Sequence, residues 1–278
     1  MTSDNLLALK GITKEYKEFC LGPLDLSVPR GYVMGLVGAN GAGKTTAIKI
    51  ALGAVLPGNG SAHLIDKTRV GVVLDQPCWQ ATWRVRDLSR LLGPFYPGWD
   101  QRVFDELCEW AGASQRLKVR EFSRGMGMKV QVAVALAHRA ELLVLDEPTS
   151  GLDPLARGEL LDKLSEFMTD ERHSVLFSTH ITTDLDRIAD LVTILDAGRV
   201  IASGARDDLL EAWAMVRGGA ADLTGELRAR IRGLRQHSAG WEGLIAAADL
   251  GLCGTGVVAD TPSVEDLLVH LTKERKDA

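Results

Sequence analysis

The chain lacks any apolar run of about eighteen residues, the length a helix needs to cross a bilayer, which excludes a membrane-spanning role for it. Its four cysteines are scattered, with no C-x-x-C pair, so neither a zinc ribbon nor a disulfide framework is encoded. The first residues, Met1-Thr2-Ser3-Asp4-Asn5, lack the basic start and apolar stretch of a secretory signal, and the cytoplasm is the expected compartment. A basic excess is missing too: the net charge of −5 argues against a dedicated nucleic-acid binder. No internal repeat or low-complexity tract interrupts the chain. What is present is ordinary globular material, 46% hydrophobic and 25% charged, and 278 residues suffice for one large α/β domain with a small appendage.

Against this background residues 38–46, GANGAGKTT, stand out as a match to G-x-x-x-x-G-K-[ST], the phosphate-binding P-loop. An apolar, strand-like run at 32–37 precedes it and a helical pattern opens at Ala47, the strand–loop–helix context in which the motif works. Gly38, Gly41 and Gly43 allow backbone N–H groups to turn toward phosphate oxygens, with Asn40 in the same loop. Lys44 can reach the terminal phosphates, Thr45 can offer its hydroxyl to Mg²⁺, and Thr46 follows at the start of the helix, whose positive end faces the anion. The alternative is a chance glycine-rich loop; the Lys-Thr pair and the strand before it favour a nucleoside triphosphate site.

Short apolar runs at 6–9, 24–28, 70–74, 142–145, 175–178 and 192–195 read as strands, with helical patterns at 162–167 and 184–188 between them. Strands alternating with helices predict a parallel sheet covered by helices. Residues 77–122 turn helical, broken by Pro94, Pro97 and Gly98. The run 130–136 alternates like a strand. After Glu211 the character changes: a charged stretch at 226–235 reads as a helix, 257–259 as a short strand and 263–271 as a closing helix begun by Asp260-Thr261-Pro262.

The apolar run at 142–145 ends in Asp146-Glu147. A carboxylate at the end of a strand beside a P-loop is placed to complete a Mg²⁺ shell, and the next one to polarise a water. An acidic turn before Pro148 is the plainer reading of the pair taken alone.

The order GANGAGKTT, then Val73-Leu74-Asp75-Gln76, then Phe122-Ser123-Arg124-Gly125-Met126, then LLVLDEPTSGLDP, then Phe177-Ser178-Thr179-His180 resembles the nucleotide-binding subunit of an ABC transporter. The resemblance covers roughly residues 5–210. More narrowly, FSRGM and FSTHITTDLDRIAD resemble the ATPases of bacterial ABC-2-type exporters. It implies an α/β fold: a P-loop NTPase with a RecA-like core sheet, an antiparallel β subdomain, an inserted helical subdomain near 77–125 and a small C-terminal α/β appendage at 212–278, the ATPase domain itself spanning 5–211. It implies Tyr16 as an aromatic stacking on adenine, an exposed loop tyrosine being the plainer reading. Asp146 would hold Mg²⁺ with Thr45; Gln76 would contact Mg²⁺ and the attacking water; Glu147 would act as general base, with the switch histidine His180 on Glu147 and the γ-phosphate. Residues 150–153 match the loop that crosses the dimer interface.

The signature motif departs from the family's L-S-G-G-Q. Ser123 and Gly125 are retained and would meet the γ-phosphate held by a second subunit, whereas Arg124 replaces a glycine and Met126 the glutamine. Because this motif opens a helix in the family, residues 130–136 are expected to be helical despite their alternation. The segment between Gly60 and Gln76 leaves room for only a short antiparallel arm.

Eight aromatics fall between 77 and 122, including Trp79, Trp83, Phe95 and Tyr96. They fit a docking surface for a membrane subunit, with Trp79 and Trp83 as exposed anchors, and equally the core of a small helical subdomain. The resemblance implies ATP and Mg²⁺ as cofactors, a membrane-spanning permease and a second ATPase subunit as partners, and a peripheral place on the inner face of the cell membrane. The P-loop half carries no evident arginine finger, in keeping with groups supplied in trans. The competing class is a soluble ABC-type ATPase acting on nucleic acid or ribosomes, whose members usually carry two cassettes or a long coiled-coil insertion; a kinase or GTPase lacks its acceptor or N-K-x-D segment here.

Overall fold

The computed structural model describes residues 4–273. The chain opens with β1 (Asn5–Glu15), β2 (Cys20–Pro29), β3 (Val33–Val37), α1 (Lys44–Ala51), β4 (Asn59–Leu64) and β5 (Val70–Val73). Three helices follow, α2 (Val85–Leu92), α3 (Gln101–Trp110) and α4 (Arg124–Ala137), before β6 (Leu142–Asp146), α5 (Pro154–Phe167), β7 (Ser174–Thr179), α6 (Thr182–Ile188), β8 (Leu191–Asp196) and β9 (Arg199–Ala205). The central sheet runs β5-β6-β7-β3-β8-β9, parallel except for β9, which pairs antiparallel with β8.

Every residue of β3, β6 and β7 is buried, the mark of parallel strands covered on both faces. The pleat sends alternate residues to opposite cores: Leu143, Leu145, Val175 and Phe177 pack with Leu160 and Leu164 of α5, while Leu142, Val144 and Leu176 pack with Ile48 of α1. The second core is shared with the antiparallel sheet β2-β1-β4, whose Leu7, Leu9 and Leu24 are fully enclosed. The short arm is β4, an exposed edge strand paired to β1.

Residues 130–136 lie in α4, as the signature resemblance implied. Their alternation misleads because the helix is buried on two sides. Val130, Ala133 and Ala137 pack with Val85, Leu88, Phe104 and Cys108 of α2 and α3, while Met128, Val132 and Ala135 pack on the central sheet. An all-round apolar helix has no single face to reveal its period. Trp79 and Trp83 are not exposed anchors: both are partly buried against this same helical cluster, and the exposed large aromatic of the segment is Phe95. The burial of Cys108 pushes its thiol up to about 12, leaving it a core side chain.

After α7 (Arg206–Glu211) come β10 (Trp213–Gly218), α8 (Gly225–Arg230), β11 (Arg232–His237), β12 (Gly240–Ala246), β13 (Val258–Asp260) and α9 (Val264–Lys273). The strands form an antiparallel sheet, β11-β12-β10-β13. The stretch 226–235 is therefore not one charged helix. It is α8 followed by β11, and Leu227 and Ile231 are buried beside Trp241. Charge periodicity missed the break because pairing with β12, a tertiary contact, decides it. The opposite face of this sheet is not self-contained: Met215 and Leu244, with Val264 and Leu267 of α9, join the same core as the central sheet.

Candidate nucleotide-binding site

The groups that bear chemistry leave the carboxyl edge of the parallel sheet, where open α/β sheets hold ligands. The register explains their proximity: Val37 at the end of β3 lies opposite Thr179 of β7, and Asp146 of β6 opposite Ser178. Three loops thus meet: 38–43, the turn after Asp146 and the turn at His180.

In the P-loop, Gly43 has φ of 109°, and a side chain there would also meet Phe19 and Leu21 at 2.9 Å. Gly38 serves a different need, since a Cβ would lie 2.2 Å from the Leu195 carbonyl. Asn40 and Gly41 stand exposed at the loop's tip, with Thr46 half-buried on α1. Lys44 is buried, its ammonium donating to the carbonyls of Gly38 (2.6 Å) and Ala39 (3.1 Å). It also lies 3.0 Å from Glu147 Oε1, at an angle that makes an ion pair but not a hydrogen bond. A buried ammonium needs such partners to offset its lost hydration.

Thr45 Oγ donates to Asp146 Oδ2 at 2.8 Å, while the Ser178 hydroxyl donates to Asp146 Oδ1 at 2.7 Å. The Glu147 N–H points back to Ser178 at 3.2 Å from its hydroxyl. Glu147 itself has φ of 53°, a left-handed conformation uncommon for a residue with a long side chain. That twist aims its carboxylate at both Lys44 and His180, whose ring Nδ1 sits 2.6 Å from Oε2, with the His180 N–H at 3.3 Å.

Lys44, Thr45, Asp146, Glu147 and His180 are therefore one connected cluster. Gln76 lies two residues past the point where Leu74 follows β5, the neighbour of β6, and is exposed; among the described residues no hydrogen bond joins its side chain to Asp146 or Thr45. Tyr16, exposed between β1 and β2, has its ring 6.4 Å from that of Phe19, which itself touches the P-loop at Gly43. Ser123 and Gly125 are apart from the cluster. Ser123 caps α4, accepting from Met126 N at 3.2 Å, and Gly125 faces Ala156 of α5. They line a cleft of about 560 Å³ with Arg124, Lys129, Gly151 and Leu155, to which no P-loop residue contributes.

A phosphate cradle beside an acidic strand end and a histidine, with a second helix N-terminus on a separate face, defines an ATP-binding cassette. The family model described as "ABC transporter" matches residues 21–150. The Nod factor export ATP-binding protein I of Cupriavidus pinatubonensis (strain JMP 134 / LMG 1197) is 34% identical over 223 residues, which cover 74% of this chain and 68% of that protein. The daunorubicin resistance ATP-binding protein DrrA3 of Streptomyces coeruleorubidus is 33% identical over 223 residues, covering 74% and 70%. A solved ATP binding subunit of an ABC transporter superposes with a TM-score of 0.64 at 28% identity, over 73% of this chain and 91% of its own. The chain belongs to the ABC transporter family, as an ATP-binding subunit with ATPase activity.

Several residues around the site escaped sequence reasoning. Ser178 ties Asp146 to the backbone of Glu147, and its place within FSTH was the only cue. Gln131, buried in α4, accepts from Leu74 N (3.0 Å) and donates to Leu74 O (2.9 Å), fastening the end of β5 just ahead of Gln76. Asp184, fully buried, accepts from Thr149 Oγ and Arg157 Nε, both at 2.6 Å. A glutamine amid an apolar run was the one available signal for Gln131; nothing in spacing marks Asp184.

Proposed function

We propose that the chain powers a separate membrane permease of the exporter type, working as one of two ATPase subunits placed head to tail, and so sits peripherally on the inner face of the cell membrane. Residues 5–211 would be the ATPase domain, with the helical subdomain at about 77–125, and 212–278 a small appendage, of which 274–278 lie outside the described residues. No helix among the described residues is long and apolar enough to cross a membrane. The exporter reading is supported by relatives named for Nod factor export and daunorubicin resistance.

ATP would bind with its phosphates on the P-loop and Lys44, its adenine toward Tyr16, and the γ-phosphate closed off by Ser123 and Gly125 of the second subunit. The Thr45 hydroxyl and Asp146 carboxylate are hard oxygen donors 2.8 Å apart, a set suited to Mg²⁺, which also takes substrate phosphates; Gln76 would reach the same ion. Mg²⁺ held there would offset phosphate charge. Glu147 accepts a proton from the water that attacks the γ-phosphorus; the bond to the bridging oxygen breaks and ADP and phosphate leave. His180 keeps the Glu147 carboxylate turned to its task.

The observation that carries this reading is the left-handed Glu147, one carboxylate oxygen beside Lys44 and the other on His180. Its test is Glu147→Gln, which is expected to bind ATP, lower turnover by a factor of about 100 to 10,000 and accumulate an ATP-bound dimer on size exclusion. Parent-like hydrolysis by that variant removes Glu147 as the base.

A further inference from the structure

Arg124, the residue that departs from the family's signature glycine, has its side chain turned into its own subunit. The guanidinium donates to the Asp75 carboxylate, in the loop before Gln76, and through Nε to the Ser150 carbonyl, in the loop after Glu147. It lies against Gly151, whose φ of 67° favours glycine and where a Cβ would stand 3.0 Å from Arg124 Nε, so a larger residue there would strain the turn and press on the guanidinium. The same helix holds the preceding residue, Leu74, by both backbone groups through Gln131. On its other side the 149–153 loop is fixed to α6, which follows His180, by Thr149 on the buried Asp184.

We propose that Arg124 is a positioning residue: it joins the signature helix to the Gln76 loop and to the Ser150–Gly151 turn, so that these surfaces move as one body when the second subunit's nucleotide arrives. This rests on the ATPase reading above. A cation in the first turn of a helix opposes the helix dipole, so helix stability does not account for an arginine at this place. The Asp75 pair is about half exposed, and such pairs add little to stability. What the contact supplies is geometry. A planar guanidinium can serve two acceptors in fixed directions at once, which an ammonium on a flexible stem does not do.

The test compares the parent with Arg124→Ala, Arg124→Lys, Asp75→Ala and the Arg124→Ala/Asp75→Ala double variant, by Mg-ATP kinetics and by amide hydrogen exchange across 149–153. Arg102→Ala, which removes an arginine from an exposed pair on α3, is the control. Arg124→Ala is expected to lower kcat about tenfold with KM for ATP within about twofold, at a melting temperature close to the parent's, a pattern that marks a contact used in the transition state. Arg124→Lys is expected between parent and Arg124→Ala. The double variant is expected to be no worse than Arg124→Ala alone, because the two residues share one contact. Exchange at 149–153 should quicken in Arg124→Ala.

A raised KM at constant kcat would overturn the proposal, since Arg124 would then meet nucleotide directly. Additive losses, or parent-like kcat together with parent-like exchange, would overturn it as well. If the parent itself shows no turnover, the exchange comparison decides alone: faster exchange in Arg124→Ala supports the clamp and unchanged exchange sinks it, while the missing turnover counts separately against the ATPase reading.

Discussion

Lys44 and Asp146 at the P-loop are 5% and 4% exposed and bonded on several sides, whereas Ser123 and Arg124 at the start of α4 stand at the surface. The first region is a set of charges already paired within one subunit: ammonium to carbonyls and Glu147, carboxylate to Thr45 and Ser178. The second is a helix N-terminus whose serine caps its own helix and whose arginine reaches inward. The difference teaches where each half draws its precision. Burial and mutual pairing fix the P-loop side; the signature side relies on one helix tied to neighbouring loops, which leaves its outer face open to another molecule.

Breaking the buried side should produce the largest effect. Lys44→Ala removes the cation proposed to hold the phosphates and leaves Glu147 Oε1 enclosed without its ion-pair partner; kcat/KM for ATP is expected to fall by about a thousandfold, in line with loss of a preorganised electrostatic group. Steady-state hydrolysis measures it, and a loss below tenfold would erase the contrast between the two sides.

The link between them should cost stability rather than chemistry. Gln131→Leu keeps the volume of α4 but orphans the Leu74 N–H and C=O, at about 2 kcal/mol. Thermal denaturation should report a fall of several degrees, with the opening of β5 visible as faster exchange at Leu74. An unchanged melting temperature would mean that the end of β5 needs no clamp.

The smallest effect lies at His138, at the C-terminal end of α4, buried and stacked on Tyr96 at 4.1 Å. Burial holds its pKa below the ordinary value. The unfolded chain takes up this proton near pH 6.5 and the folded chain only at lower pH, so the associated stability is complete above about pH 6.5 and is lost as pH falls below it. His138→Phe should therefore flatten the decline in melting temperature between about pH 7.5 and 5, while leaving ATP turnover at neutral pH alone. Parallel pH curves for variant and parent would rule His138 out.

Much of the central sheet was legible because its strands are continuous apolar runs bounded by polar turns, and the meeting of the P-loop with Asp146, Glu147 and His180 because their motifs stand in the order that the resemblance gave. Helix α4 was legible only through its signature motif; its alternating residues, buried on two faces, imitate a strand. The break between α8 and β11 was hidden because a charged segment of six residues pairs with β12 as readily as it would continue a helix, and only the partner strand settles which. Trp79 and Trp83 were misplaced for a related reason. A bulky residue suits a binding surface and a small core equally well until its neighbours are known.

Residue order alone carried the form of the P-loop, since glycines at 38, 41 and 43 before Lys44-Thr45 constrain a local backbone whose geometry needs no distant partner. The left-handed turn of Glu147, the hold of Ser178 on Asp146 and the inward reach of Arg124 came from the folded chain. Each depends on bringing together residues distant in the chain, 32 positions apart for Ser178 and Asp146 and 49 for Arg124 and Asp75, and the register of β5, β6, β7 and β3, not local preference, sets those meetings.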